Sequence, residues 1–348
     1  MQIVNAKAEY IDTSKLGLYQ MIEKAGRTCY KSEANITDES AVKFVQNLVK
    51  NQHTAMLEHA HIYMELNEFI FDQLMEAIGM AQYANGYDWE DENEPFWEAD
   101  TVSPFIKISR VVAGDDSVHY YISGSFRTFL NMFYDMDGCF SAVEVIMDEL
   151  HSVYPEIFQH ESSQIKVDRT QFVQLLTRDE FIKRISSFGL DDGERDMILE
   201  KHLTHTIVFT CDRGVSHEFV RHRTASFAQE STRYCNYSQD KFHNEISVIK
   251  PCYWKENTTT YMQWKTCCEM AEVTYFALLD AGATPQEARS VLPTSLKTEL
   301  VITATEQEWQ HIINLRYHGT TGKPHPQMYE SMSQAYPLLV KYSDNRLK

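Results

Sequence analysis

An α+β protein is what this sequence predicts, from three observations. Strand-like alternation opens the chain at "IVNAKAEYI" and returns far downstream at "THTIVFTCDRG", the period-two signature of a pleated segment. Apolar residues at helical spacing fill other stretches, most clearly "TTTYMQWKTCCEMAEVTYFALLDAG". Two further strand-like runs, "FIKISRVVAG" and "SVHYYISG", flank the turn "GDDS" and read as a pair.

The elements follow in order. After the opening strand, "LGLYQMIEKAGRTCY" sets Leu16, Tyr19, Met21 and Ile22 at helical spacing. "DESAVKFVQNLVKN" repeats the pattern with Val42, Phe44, Val45 and Leu48, and Asp38 stands where a cap belongs. "HTAMLEHAHIYMELN" is a polar turn entering a strand. The run "DWEDENEPFWEAD" is acidic throughout and reads as a solvated surface. "SFRTFLNMFYDM" and "CFSAVEVIMDELHSVY" are helical, and "GLDDGERD" is a solvated turn. Beyond "THTIVFTCDRG" come the short helix "VSHEFVRHR", the long helix quoted above, and "TPQEARSVLP", with Thr284 as cap and Pro285 at the first helical position. "LKTELVITAT" suits a strand or a helix by periodicity. "EQEWQHIINLRYHG" is helical and ends near Gly319.

Composition narrows the classes. A chain of 348 residues can bury a sizeable core in one large domain or two. Its hydrophobic content of 43% and charged fraction of 24% are those of a globular protein. No apolar run approaches a membrane span and the N-terminus lacks a signal pattern, so no membrane partner is expected. The seven cysteines are scattered with no C-x-x-C pair, which encodes neither a zinc knuckle nor a disulfide framework and favours a reduced, cytoplasmic setting. A net charge of -18 opposes general nucleic-acid binding.

Against that field, "RHRTASFAQESTRY" collects Arg221, Arg223 and Arg233 with Ser226, Gln229 and Ser231. Guanidinium forks among hydroxyl and amide donors suit an anion. The ordinary alternative is a solvated basic face. Two details count against it: no acid sits at i,i+4 spacing to balance the arginines, and Val220, Ala225, Phe227 and Ala228 intervene, which implies partial burial. Buried arginine is costly unless paired. A bound anion would supply the pairing.

The segment resembles the signature of the flavin-dependent thymidylate synthases, R-H-R-x-x-S-x-x-x-x-S-x-R, with Arg221, His222, Arg223, Ser226, Ser231 and Arg233 on its defining positions. Where some members carry Asn-Glu, this chain has Ala228-Gln229. The likeness extends to "HTAMLEH" (His53, Glu58, His59), to Glu218 before the motif, to "ARSVLP" (Arg289), and to "HIINLRYHG" with "HPQ" (Arg316, His325, Gln327). It implies a central antiparallel sheet with helices over residues 1–67 and 201–348, and an inserted α/β segment of unread role at 68–200. It also implies reductive methylation of dUMP to dTMP, with FAD as cofactor, 5,10-methylenetetrahydrofolate as carbon donor, NADPH as reductant and no cysteine nucleophile. Arg316 would be the catalytic group. His53, Arg221, His222, Arg223, Gln229, Thr305 and His311 would contact FAD. Glu218, Arg221, Gln229, Glu230, Ser231, Thr232, Arg233, Arg289 and Arg316 would hold dUMP. A homotetramer with shared sites is implied as well.

Other readings stand beside this one. A non-catalytic nucleotide- or RNA-binding protein could use the same basic segment. A metal-dependent hydrolase would need the histidines, but the spacing of His53, His59 and His61 matches no common metal pattern, so no metal is expected. Arg289 and Arg316 could merely cap helices. Cys235 beside the motif lacks an evident base or oxyanion element.

Overall fold

The computed structural model describes residues 1–84, 105–135, 141–159 and 173–348. They divide into two compact units, one of Met1–Thr13, Lys24–Ile36 and His205–Lys348, the other of Ser14–Glu23 and Thr37–Thr204. The acidic run at 88–100 and Cys139 lie outside the described residues.

The chain opens with β1 (Gln2–Val4) and β2 (Lys7–Ile11), the one expected strand being broken at Asn5 and Ala6. Next come α1 (Leu18–Tyr30) and α2 (Ser40–Lys50). Asp38 does not cap α2. Its N-cap is Glu39, without a side-chain bond, and Ser40 Oγ instead donates to Glu23.

The second unit holds β3 (His61–Leu66), α3 (Glu68–Ala84), β4 (Ile106–Val112), β5 (Val118–Ser125), α4 (Phe126–Asp135), α5 (Ser141–Val153), β6 (Val173–Leu176), α6 (Arg178–Ser187) and α7 (Asp192–His202). Its sheet has the order β4-β5-β3-β6, antiparallel throughout. Both edges of β3 are bonded, by β5 and β6, and this ties residues 61–66 to the segment that follows them. Both sheet faces are apolar. Ile62, Met64 and Leu66 join one cluster with residues of α3 and α5, while Tyr63 and Tyr121 join another with Phe181, Ile185 and Leu199 of α6 and α7. The expected pair β4–β5 is present. "GLDDGERD" is less a turn than a helix start: Asp191 and Glu194 close a capping box at the head of α7.

The first unit resumes with β7 (Thr204–Asp212), α8 (Arg213–Phe219), β8 (Ser226–Gln229), β9 (Ser247–Ile249), α9 (Thr259–Asp280), α10 (Pro285–Ala288), β10 (Lys297–Thr305), α11 (Glu306–Ile313) and α12 (Pro326–Tyr342). Its main sheet has the order β2-β7-β10-β8. β2 pairs antiparallel with β7, and β8 with β10. The central strands also run oppositely, since Thr206 bonds Thr303 while the Arg213 N–H reaches Leu296 O. "LKTELVITAT" is thus a strand: it lies between β7 and β8, and this tertiary place decides what periodicity left open. Ile207, Phe209, Leu300 and Ile302 pack with Trp309, Ile312, Met328 and Met332 of α11 and α12 in one core.

A buried charged group pins the C-terminal tail under that core. Arg346 donates from Nε and Nη2 to both oxygens of Glu306, each at 2.7 Å. His205 Nε2 also meets Glu306 Oε1 at 2.7 Å, and Tyr10 Oη meets His205 Nδ1 at 2.8 Å. Burial pushes the Glu306 carboxyl upward, but the bonds from Arg346 and His205 outweigh it and leave the group below its ordinary value. A depressed carboxyl adds stability above its unfolded pKa, and that stability is lost as pH falls through the folded one. Removing the arginine strands a buried carboxylate. Arg346→Ala is therefore expected to cost about 3 kcal/mol in urea unfolding at neutral pH, and the deficit should shrink below about pH 4.3.

Candidate functional site

Four elements of the first unit assemble the arginine-rich segment. β7 ends at Asp212, whose Oδ1 accepts from the Val215 N–H at 2.7 Å and starts α8. Gln327 of α12 donates to the other oxygen at 2.5 Å. Burial pushes the Asp212 carboxyl up. α8 stops at Phe219, so Arg221–Arg223 stand in the turn after the helix and not on it, as the sequence had suggested. The chain then enters β8, with Ser226 opposite Thr303 and Gln229 opposite Leu300. A strand of this length spans about 10 Å. It holds the R-H-R end of the segment apart from the S-x-R end.

At the first end, His222 is buried while Arg221 and Arg223 are exposed. α11 begins at Thr305, whose side chain accepts from the Glu308 N–H. The helix passes at Asn314–His318 into a π-turn that carries Arg316, an irregularity frequent at functional sites. Gly319 ends it at φ 70°, where an added Cβ would lie 3.0 Å from Gly322 O and from Pro324. Arg316 Nη1 donates to Glu218 Oε2 at 3.0 Å, and its Nε donates to His222 Nε2 at 3.2 Å. His222 Nδ1 faces Glu308 Oε1 at 3.2 Å, and Thr224 Oγ1 donates to Glu308 Oε2 at 2.5 Å. His311 is exposed, its ring 5.6 Å from that of His222.

His222, Glu308 and His311 bring one ligand atom each within 4.8 Å of the others. A cation there would need a lone pair on His222. Nε2 already accepts from Arg316, and the Nδ1 proton faces a carboxylate, so the geometry is that of a hydrogen-bond relay.

At the second end, Gln229 Nε2 donates to Ser216 Oγ at 2.8 Å and to Thr298 Oγ1 at 3.3 Å. The Ser231 N–H bonds Cys29 O, and the Arg233 N–H donates to Ser231 Oγ at 3.2 Å. Arg289 Nη1 reaches Thr232 Oγ1 at 3.5 Å. Glu230 is held by both its side chain and its backbone. Its carboxylate is 1% exposed and bonded to Lys297 Nζ at 2.9 Å, its N–H donates to Glu299 O, and its carbonyl accepts from Arg213. The side chain is an internal ion-pair partner of Lys297. A ladder continues outward, Lys297 to Glu299 at 2.6 Å and Glu299 to Lys31 at 2.8 Å.

Arg289 thus meets the far end of the segment and Arg316 the near end. His53 belongs to the other unit, where its N–H bonds Leu48 O at the end of α2. Glu58, in the same unit, pairs with Arg127 at 2.5 Å. Sequence reading missed Glu308, Thr224 and Lys297. The signal for Glu308 was its place three residues before His311 on α11, where i,i+3 side chains share a face. Nothing in the local sequence marks Lys297.

Among the described residues, Arg221, Arg223, Arg233 and Arg289 have no carboxylate within ion-pair distance. Cys235, beside them, is buried, and burial followed by the nearby Glu230 charge pushes its thiol up to about 11. Such a thiol is protonated at neutral pH and a poor nucleophile.

Residues 196–336 match the protein family described as "Thymidylate synthase complementing protein". A flavin-dependent thymidylate synthase of Thermococcus onnurineus is 30% identical over 135 residues, 39% of this chain and 52% of that protein. One from Geobacter sulfurreducens is 30% identical over 137 residues, 39% and 55% of the two chains. The chain spans about half the length of the curated relatives it matches. A UMP/dUMP methylase, PolB from Streptomyces cacaoi, solved with 5-Br dUMP, aligns over 46% of this chain and 82% of its own at 21% identity, with a TM-score of 0.36. At that score no detail is carried over.

The ion pair under the second end yields an expectation. Lys297→Met leaves the Glu230 carboxylate buried without its cation and should cost about 3 kcal/mol in urea unfolding. The double variant with Glu230→Gln should recover most of that loss.

Proposed function

We propose that this chain, related across residues 196–336 to the flavin-dependent thymidylate synthases, methylates dUMP to dTMP. One observation carries the reading: in a chain of net charge -18, four guanidiniums on one arginine-rich assembly have no carboxylate partner among the described residues, and they are grouped at the two ends of a single strand. An anion from outside would complete each end, and the proposed ligands supply two, a nucleotide monophosphate and a dinucleotide cofactor.

Ser231, Arg233 and Arg289 would bind the dUMP phosphate by charge-assisted hydrogen bonds, with Thr232 and Gln229 beside them. Arg221, Arg223, His222, Thr305 and His311 would hold FAD. The donor set fits a flavin dinucleotide: exposed cations for its diphosphate, and a buried imidazole beside them. When bound, reduced FAD would supply the hydride, with 5,10-methylenetetrahydrofolate as carbon donor and NADPH as reductant. The chain's own contribution is positional and electrostatic. Arg316 stays protonated and so cannot be a base. Anchored by Glu218 and His222, it would stabilise negative charge developing on the pyrimidine. The protonated thiol of Cys235 favours a route without an enzyme nucleophile. We read residues 68–200 as an insertion of unread role, and the assembly as a homotetramer with shared sites.

The test is an absorbance spectrum of the purified protein with added FAD, then tritium release from labelled dUMP with the folate and NADPH. A colourless protein that releases no tritium, and that binds RNA in a salt-sensitive way, would replace this reading with the nucleic-acid one. Arg233→Ala should weaken dUMP binding at least tenfold, the worth of one charge-assisted bond, and leave FAD affinity nearly unchanged; calorimetric titration separates the two. Cys235→Ala, correctly folded, should keep methylation within a few-fold of the parent rate.

A further inference from the structure

Among the described residues, each helix start that carries Thr or Asp followed three residues later by Glu invites the same local bond. At Thr177 with Glu180, Asp191 with Glu194 and Thr284 with Glu287, the glutamate reaches back to the cap and the box closes. At Thr305 with Glu308 only half of it forms. Thr305 still accepts from the Glu308 N–H, but the carboxylate leaves the cap and turns to His222 and Thr224. A local bond has been given up for a tertiary one.

We propose that Glu308 is a positioning residue for the reaction: it holds His222 in the tautomer protonated on Nδ1, so that Nε2 offers its lone pair to Arg316 and sets the direction of that guanidinium. The proposal rests on the reading above for the role of Arg316. The proton assignment follows from the partners. A guanidinium has donors and no acceptor, so the His222 Nε2 that meets Arg316 Nε at 3.2 Å must accept. A neutral imidazole then carries its one proton on Nδ1, and that atom faces Glu308 Oε1 at 3.2 Å. Protonating both nitrogens would set an N–H against the N–H of Arg316. The second Glu308 oxygen is held by Thr224, so the carboxylate cannot swing without breaking two bonds. Burial of Glu308 pushes its carboxyl up, but the bonds from His222 and Thr224 prevail and keep it ionised at neutral pH. His222, 5% exposed, has little water to turn to instead. Arg316 is thereby fixed from two sides, by Glu218 on Nη1 and by the Glu308–His222 pair on Nε.

The experiment compares the full chain with Glu308→Ala and Glu308→Gln. In 15N-histidine spectra, the His222 signals are identified by their loss in His222→Gln. They should show protonated Nδ1 and unprotonated Nε2 in the parent and in Glu308→Gln, whose amide oxygen can still accept, and a changed or averaged tautomer in Glu308→Ala. In steady-state methylation, Glu308→Ala should lose kcat on the order of 10²-fold, as a misplaced catalytic group does. KM for dUMP should stay nearly constant, and Glu308→Gln should restore most of the rate. A parent His222 protonated on Nε2 overturns the proposal. So does an unchanged tautomer in Glu308→Ala, or equal loss of kcat in both variants with the tautomer intact. A parent protein that methylates nothing sinks the functional reading instead, and the spectra then still decide whether Glu308 sets His222.

Discussion

Strand β8, hydrogen-bonded along the edge of β10 from Ser226 to Gln229, is the constraint on which the assembly depends. A segment dense in arginine would, if free, spread its charges into water. Bonded to a sheet edge, it cannot. Residues before the strand are delivered to the end of β10 where α11 begins, and residues after it are delivered to the other end, over Lys297 and Glu299. Ladder geometry converts one short motif into two separate groups of donors.

The two ends are braced by different means. The first is braced by directional bonds that pass from Glu308 through His222 to Arg316 and on to Glu218. The second is braced by charge, with Glu230 buried on Lys297 and the ladder running out through Glu299 to Lys31. Between them they engage Glu218, Glu230 and Glu299 with named cations. The exposed arginines of the segment are left for something else. Beneath them the Arg346–Glu306–His205 group anchors the tail to the first residue of α11, so the helix bearing Glu308 and His311 starts from a fixed point.

The second unit is organised by another constraint. β3 is bonded on both edges and apolar on both faces, so it cannot be separated from the strands that follow. The residues of β3 therefore belong in one sheet with the strands that follow them.

What the sequence determined alone was local chemistry: helices where apolar residues recur at three and four, the β4–β5 hairpin, the caps at Thr284 and Pro285, the stop at Gly319, and the arginine-serine segment with its partners Arg289 and Arg316. These depend on neighbours a few residues apart, which a linear reading can see. Tertiary structure alone decided that residues 297–305 are a strand, that Glu230 turns inward, that Glu308 leaves its cap for His222, and that α12 with its internal Pro337 closes the core. In each case the deciding partner lies tens of residues away or more, and the energy of meeting it exceeds any local preference the sequence displays.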